Sequence, residues 1–171
     1  MAETSETRSI FVVGLRNAHA MENQALSIMK PQLSRIENYP EVANRLEQHY
    51  RETEGQIRRL EDVLEGLAED HSTLKDMAMS FTGSMAAMGH SIAGDEIIKN
   101  SLANFAFENY EIAAYKSLLT LAEQGGFTAS VSALKANLEE EIAMAKWLDD
   151  NLATVTMKFA GLSEAGVSAK I

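Results

Sequence analysis

The chain contains no cysteine, and this absence removes several chemistries at once. Disulfide bonds, thiolate zinc sites and a cysteine nucleophile are all excluded. Because no rubredoxin-like cysteine motif is present, any electron donor that the protein uses must be another molecule, and the sequence leaves that external donor unknown. The absence of cysteine is also compatible with a reducing compartment.

Helix breakers, basic clusters and long apolar runs are scarce as well. Two prolines and ten glycines among 171 residues leave long stretches free to form helices. The formal net charge is −10 and the longest basic cluster is the pair Arg58-Arg59, so we expect no nucleic-acid partner. No apolar run approaches the roughly 18 residues of a membrane span, and residues 1–9 do not resemble a signal peptide. We therefore expect a cytoplasmic protein with no membrane partner.

Residues 100–122 combine a helical pattern with two carboxylates. Glu108 falls inside the predicted buried stripe, and Glu111 lies beside it. An ionised carboxylate in an apolar core is costly unless it is paired or bound to a cation. The apolar positions that recur at helical spacing are Leu102, Phe105, Ile112, Tyr115, Leu119 and Ala122.

Three other stretches are predicted to be helices, at about 9–36, 40–67 and 128–157. The first carries Glu22 among the core-facing positions Leu15, Ala18, Ala25, Met29 and Leu33. The last carries Glu141 among Leu134, Leu138, Ala145, Leu148, Leu152 and Val155. A single such glutamate can also lie at the edge of a stripe and reach water. Several at similar depth call for a shared explanation.

The helix at 40–67 has a polar interruption in its apolar face. Four residues share one side at i, i+3, i+4 and i+7, and they are His49, Glu52, Thr53 and Gln56. This pattern is typical of a buried ligand site. The alternative is a solvated flank, with Tyr50, Thr53 and Ile57 continuing the core.

These segments predict an all-α fold, an antiparallel four-helix bundle of the ferritin-like kind with a long crossover between the second and third helices. The crossover contains the methionine-rich segment 72–94, which is predicted to include a short helix and is interpreted as adaptable packing rather than a cofactor site. We expect a disordered tail at 1–8, one bundle domain at 9–158 and a loose tail at 159–171.

Convergent acids in a bundle core predict a metal site. Bundles that send Glu and His inward hold di-iron or di-manganese centres, and hard oxygen ligands with few nitrogens suit iron or manganese better than copper. Glu54 and Glu140 are alternatives to the predicted ligands. The predicted ligands are Glu22, His49, Glu52, Glu108, Glu111 and Glu141, with His49 as the leading nitrogen donor.

Three segments carry a resemblance to a known family. They are HYRETEGQIRRLEDVLE at 49–65, FENYEIAAYKSLLTLAEQGG at 107–126 and LEEEIAMAKWL at 138–148. With residues 21–24 they resemble the YciE/YciF family of bacterial stress-associated ferritin-like proteins over most of residues 10–155. The resemblance implies a rubrerythrin-like bundle, commonly a homodimer, with a di-metal centre, and it implies no established activity.

The sequence departs from the usual ligand pattern of ferritin-like proteins, which carry Glu-x-x-His on two helices. On the second helix the order is reversed, as His49-x-x-Glu52, and the residues three positions beyond Glu140 and Glu141 are Ala143 and Met144. Three hypotheses remain open. They are a ferritin-like metal protein, a metal-poor structural or interaction protein, and an acid-base enzyme with paired carboxylates. In the first of these, Tyr110 or Tyr115 either hydrogen-bonds a ligand or stays in the core.

Overall fold

Four helices make up the described part of the protein. The computed structural model describes residues 5–68 and 93–171. The helices are α1 (Ser5–Leu33), α2 (Pro40–Gly66), α3 (Glu96–Gly125) and α4 (Thr128–Glu164). No strand occurs within these two ranges, so the predicted all-α bundle is confirmed.

The helices occupy the corners of a square. α1 packs on α2 and α3, and α4 packs on the same two helices, so α2 and α3 stand at diagonal corners. A short turn joins α1 to α2, and Gly126 with Phe127 joins α3 to α4. The predicted crossover with its short helix falls at 69–92, outside the described residues.

Local sequence explains where the helices begin and end. Pro40 occupies the first turn of α2, where its missing N–H costs nothing. Gly126 adopts a left-handed conformation with φ of 78°, which glycine tolerates without strain, and this ends α3. Both boundaries agree with the predicted ones.

Helix extends into both of the predicted tails. α1 begins at Ser5, inside the expected tail at 1–8, and α4 continues to Glu164, inside the expected tail at 159–171. After α4, the buried side chains of Ala169 and Ile171 anchor the chain against the bundle. The backbone carbonyls of this segment are bound by distant donors, among them Tyr39 Oη at 2.7 Å and the Ile97 amide at 2.8 Å. These partners lie far away in sequence, so the segment's polar, glycine-containing composition did not reveal them.

The apolar core follows the predicted faces of α1 and α4 closely. In α1, the predicted positions Leu15, Ala18, Ala25 and Met29 are buried. In α3 the prediction is wrong at Leu102, which is 52% exposed. The buried side of α3 instead begins with Ile97 and polar residues such as Asn104, whose side chain exchanges two hydrogen bonds with Gln32 across the core. Pairing makes those amides acceptable in the interior.

None of the four helices combines the length and the apolar character that crossing a lipid bilayer requires, as judged over the two described ranges.

Candidate metal centre

Four titratable side chains meet in the centre of the bundle. One ligand atom from each of His49, Glu108, Glu111 and Glu141 lies within 4.8 Å of every other, and all four residues are buried. They come from α2, α3 and α4. The group sits at mid-length because each helix interrupts its apolar stripe at the same depth.

His49 faces two of the carboxylates with one ring nitrogen. Its Nε2 atom lies 3.3 Å from Glu108 Oε2 and 3.5 Å from Glu141 Oε2. Its Nδ1 atom lies 3.0 Å from Glu52 Oε2 on the opposite side of the ring. A carboxylate on one ring nitrogen fixes the orientation of the imidazole and leaves the other nitrogen directed into the site.

Glu52 is engaged away from the central group. Arg45 donates a hydrogen bond to its Oε2 atom at 3.0 Å, and Gln48 donates to its Oε1 atom at 2.7 Å. Its side chain is also 20% exposed. Glu52 therefore acts on His49 in this arrangement and is not part of the four-residue group.

Glu22 enters from α1 and is held by a tyrosine. The hydroxyl of Tyr115 donates to Glu22 Oε1 at 2.5 Å, and both residues are fully buried. Charges on Glu22 and Glu111 affect each other electrostatically, so Glu22 belongs to the same polar interior although it lies outside the four-residue group.

Several carboxylate oxygens in this interior are left without a hydrogen bond. The side-chain amide of Gln56 donates to Glu141 Oε1. Apart from the imidazole contacts given above, five buried carboxylate oxygens of this interior have no hydrogen-bond partner among the described residues. They are Glu22 Oε2, Glu108 Oε2, Glu141 Oε2 and both oxygens of Glu111. Such groups are rare in folded proteins and indicate a missing ligand or proton.

Three of the buried acids have pKa values shifted towards their neutral forms. Burial raises the pKa of Glu22 to about 8, although the Tyr115 hydrogen bond and the charge of His49 lower it. Burial and the nearby carboxylates also raise the pKa values of Glu111 and Glu141 well above their usual range. A cation would remove this penalty by stabilising the charged forms.

The pKa values of His49 and Glu52 shift in opposite directions. Burial lowers the pKa of His49, but Glu108 and Glu52 outweigh it and raise the value to about 9. Burial raises the pKa of Glu52, but hydrogen bonds from His49, Gln48 and Arg45 outweigh it and lower the value to about 2. Among the described residues, the imidazole thus provides the positive charge that contacts the central carboxylates.

The structure brings most of the predicted ligands together. Four of the six (His49, Glu108, Glu111 and Glu141) form the central group, and Glu22 lies next to it. Of the two alternatives, Glu54 is exposed, and Glu140 forms an ion pair with Arg59. Tyr110 is largely exposed, whereas Tyr115 contacts Glu22. The polar face of α2 is buried at His49, Thr53 and Gln56, so the solvated-flank alternative is wrong.

The sequence does not predict the roles of three polar residues of the site. Gln56 belongs to the predicted polar face of α2, but its amide contact with Glu141 depends on the packing of α2 against α4. Asn137 and Arg59 gave no separate signal, because their roles depend on contacts between helices. Asn137 is the clearest case, since it is fully buried one turn before Glu141 on α4.

The donor set fits a divalent cation. Orphaned buried carboxylate oxygens with one imidazole nitrogen form a hard, oxygen-rich site. His49, Glu108, Glu111 and Glu141 would hold the ion, and Glu22 has one unpartnered oxygen available nearby.

Comparison with known proteins gives a consistent group of relatives. A family model described as "Domain of unknown function (DUF892)" matches residues 6–161. Protein YciF from Escherichia coli (strain K12) is 32% identical over 142 residues, which cover 78% of this chain and 82% of that protein.

Solved structures give the same picture. A crystal structure of a Xanthomonas campestris protein matches with a TM-score of 0.79 and 31% identity, covering 94% of this chain and 99% of that chain. The E. coli stress protein YciF matches with a TM-score of 0.68 and 26% identity, covering 88% and 99% of the two chains. YcfI, described as a putative structural protein from Rhodopseudomonas palustris, matches with a TM-score of 0.67 and 26% identity, covering 84% and 92%.

Proposed function

This chain belongs to the DUF892 family, and we propose that it is a ferritin-like protein that binds iron or manganese between the carboxylates of its bundle core. The predicted resemblance to YciE/YciF proteins is confirmed by the relatives found. The family description assigns no activity, so the proposal depends on the chemistry of the core.

The observation that carries the proposal is the set of unpartnered carboxylate oxygens. Four buried glutamates (Glu22, Glu108, Glu111 and Glu141) surround one histidine. If all four ionise, their charge equals that of two divalent cations. An unpaired buried charge costs several kcal/mol, so either protons or cations must compensate. Bound cations would compensate the buried negative charge and would also give the unpartnered carboxylate oxygens a ligand.

Each residue has a defined role in this proposal. Glu108, Glu111, Glu141 and Nε2 of His49 are ligands, Glu22 contributes its free oxygen, and Glu52 orients the imidazole. A pair of redox-active ions held by these residues would supply electron exchange with an oxidant. The protein's own residues hold the ligands in place and exclude bulk water. A stress-related role in handling iron or oxidants fits the description of the E. coli relative as a stress protein.

The test is metal content per chain after anaerobic loading with Fe(II) and desalting. We expect about two irons per chain in the wild type, because the charge argument above calls for two divalent ions. We expect none in Glu108→Ala, because that side chain contacts His49 and belongs to the central group. Glu54→Gln is the control, since it removes an exposed carboxylate from the same bundle. Metal-free wild type with intact helices would overturn the proposal.

A metal-poor structural protein on the same fold is the second candidate. The raised pKa values of Glu22, Glu111 and Glu141 favour it, because protons alone can then neutralise the core. Under this alternative, the Tm does not respond to Fe(II) or Mn(II). A metal that binds only the folded state must raise the Tm, so thermal unfolding with each ion separates the two candidates.

We also propose that the protein is a homodimer, as the family resemblance implies, and that it is cytoplasmic. Exposed apolar side chains on α1 and α3 support this assembly, and they include Ile10, Val13 and Tyr110. Tyr110 also lines a groove between the two helices, together with Asn17 and Ala114. We expect light scattering to give twice the chain mass for the wild type and the single mass for Val13→Glu. A monomeric wild type would contradict the assembly.

A further inference from the structure

A chain of hydrogen bonds runs through all four helices one turn from the central group. Tyr115 on α3 donates its hydroxyl proton to Glu22 Oε1 on α1 at 2.5 Å. Asn137 on α4 donates from Nδ2 to the oxygen of the same hydroxyl at 2.8 Å. Arg59 on α2 donates from Nε to Asn137 Oδ1. The chain of contacts thus begins at a part-exposed arginine and ends at a predicted ligand.

The chemistry of the groups gives this chain one direction. A guanidinium can only donate hydrogen bonds, so the atom of Asn137 that faces Arg59 must be its carbonyl oxygen. The amide nitrogen of Asn137 then faces Tyr115 and can only donate as well. The phenol oxygen accepts that bond, and its single proton is left for Glu22. Arg59 therefore determines the orientation of every group that follows.

The consequence for Glu22 is an asymmetric carboxylate. Its Oε1 atom is occupied as a hydrogen-bond acceptor, and its Oε2 atom is buried without a hydrogen-bond partner in the described part of the chain. We infer that Tyr115, Asn137 and Arg59 are positioning residues that present Glu22 to the metal as a one-oxygen ligand. This inference rests on the proposed function. It assigns roles to two residues, Asn137 and Arg59, that the ligand set does not include.

The outer end of the chain is anchored by a second ion pair. Arg59 Nη2 contacts Glu140 Oε2, and both side chains are about one-third exposed. Glu140, a predicted alternative ligand, is thereby assigned to holding Arg59 in place. Its carboxylate directs the guanidinium so that Nε remains aimed at Asn137.

Asn137→Asp is the variant that tests the direction. It preserves size but replaces the donating amide with an accepting oxygen, so Tyr115 can donate to residue 137 instead of Glu22. Tyr115→Phe removes the donor altogether and covers the case in which the aspartate variant does not fold. Tyr50→Phe is the matched control, because it deletes a tyrosine hydroxyl from a partly buried ring outside the chain.

The measurement is the affinity of each folded variant for Mn(II) alone, followed by the free-ion signal in electron paramagnetic resonance, with the metal-free Tm recorded in parallel. We expect Asn137→Asp and Tyr115→Phe each to weaken Mn(II) binding by about tenfold or more, as loss of a ligand's outer partner does. Tyr50→Phe should bind as the wild type does. A purely structural role would lower the metal-free Tm and leave the affinity of the folded protein unchanged.

The outcomes separate the inference from the proposed function. A wild type that binds neither Mn(II) nor Fe(II) overturns the proposed function. A wild type that binds Mn(II), together with two variants of unchanged affinity, overturns the inference alone. A loss of affinity in Tyr115→Phe without one in Asn137→Asp overturns the assigned direction of the chain.

Discussion

The bundle buries carboxylates in two places, and the two places differ in how many cationic side chains contact them. Near the start of α3, Glu96 is fully buried but contacts Arg35, and Lys170 approaches it to 3.4 Å. In the bundle centre, Glu22, Glu108, Glu111 and Glu141 share one imidazole. The first cluster carries its own cations and is explained by folding alone. The second has four carboxylates and, among the described residues, one imidazole to compensate them, which is typical of a site that takes its cation from solution.

The largest expected difference between the two clusters is the response of the central one to pH. Glu22 has its pKa raised from 4.5 to about 8, and His49 from 6.5 to about 9. The folded protein therefore holds protons that the unfolded chain releases. Their stabilising contribution is complete below about pH 4.5 for Glu22 and below about pH 6.5 for His49, and it is lost as pH rises through about 8 and about 9.

We expect the free energy of unfolding of metal-free protein to fall between pH 5 and 9 by about 1.4 kcal/mol per pH unit for each retained proton. Metal-loaded protein should not show this fall, because its ligands are already deprotonated and metal affinity increases with pH. Urea unfolding across this range measures both. A metal-free protein that becomes more stable towards pH 9 would contradict the description of the centre.

The next effect concerns the cluster near the start of α3. Arg35→Ala removes the main partner of Glu96 and leaves a buried carboxylate with only Lys170. Breaking a buried pair costs 3–5 kcal/mol, but Arg35 is one-third exposed, so we expect a loss of about 2 kcal/mol, or about 4–8 °C in Tm for a chain of this size. Metal uptake should not change. An unchanged Tm would show that solvent, not Arg35, compensates Glu96.

At the bundle centre, removing a carboxylate should stabilise the metal-free protein, whereas Arg35→Ala destabilises it. Glu111→Gln eliminates a carboxylate that has no hydrogen-bond partner among the described residues. We expect the metal-free variant to be more stable than wild type by about 1 kcal/mol at pH 8, because glutamine needs no proton to be buried in neutral form, whereas Glu111 must take one up on folding. Glu54→Gln, on the exposed surface, should stay within about 0.5 kcal/mol. A destabilised Glu111→Gln would show that Glu111 already has a partner.

A change in affinity without a change in the number of bound ions distinguishes a residue that supports a ligand from the ligand itself. Glu52→Gln retains the shape of the side chain beside His49 but removes its charge. We expect the number of bound metal ions to stay the same and the affinity to fall by about tenfold. Loss of an ion per chain in equilibrium dialysis would instead restore Glu52 as a ligand, as the sequence predicted.

Sequence reasoning succeeded where a feature depends on one helix. The spacing of Leu15, Ala18 and Met29 predicted the buried face of α1, and glutamates in such faces predicted the acids of the centre. It failed where several apolar faces compete, as at Leu102, and where partners come from other helices. Asn104 could not be recognised as buried without Gln32, nor the segment after α4 as anchored without Tyr39. The role of Glu52 likewise depended on which side of the His49 ring it occupies.

The most direct measurement is anomalous diffraction from crystals of the protein equilibrated with Mn(II), with data collected at the manganese edge. We expect strong peaks among His49, Glu108, Glu111 and Glu141, one of them within ligand distance of Glu22, and none beside Glu96. A map without peaks in the bundle centre, at Mn(II) concentrations that occupy other sites, would contradict the proposal that the central carboxylates bind metal.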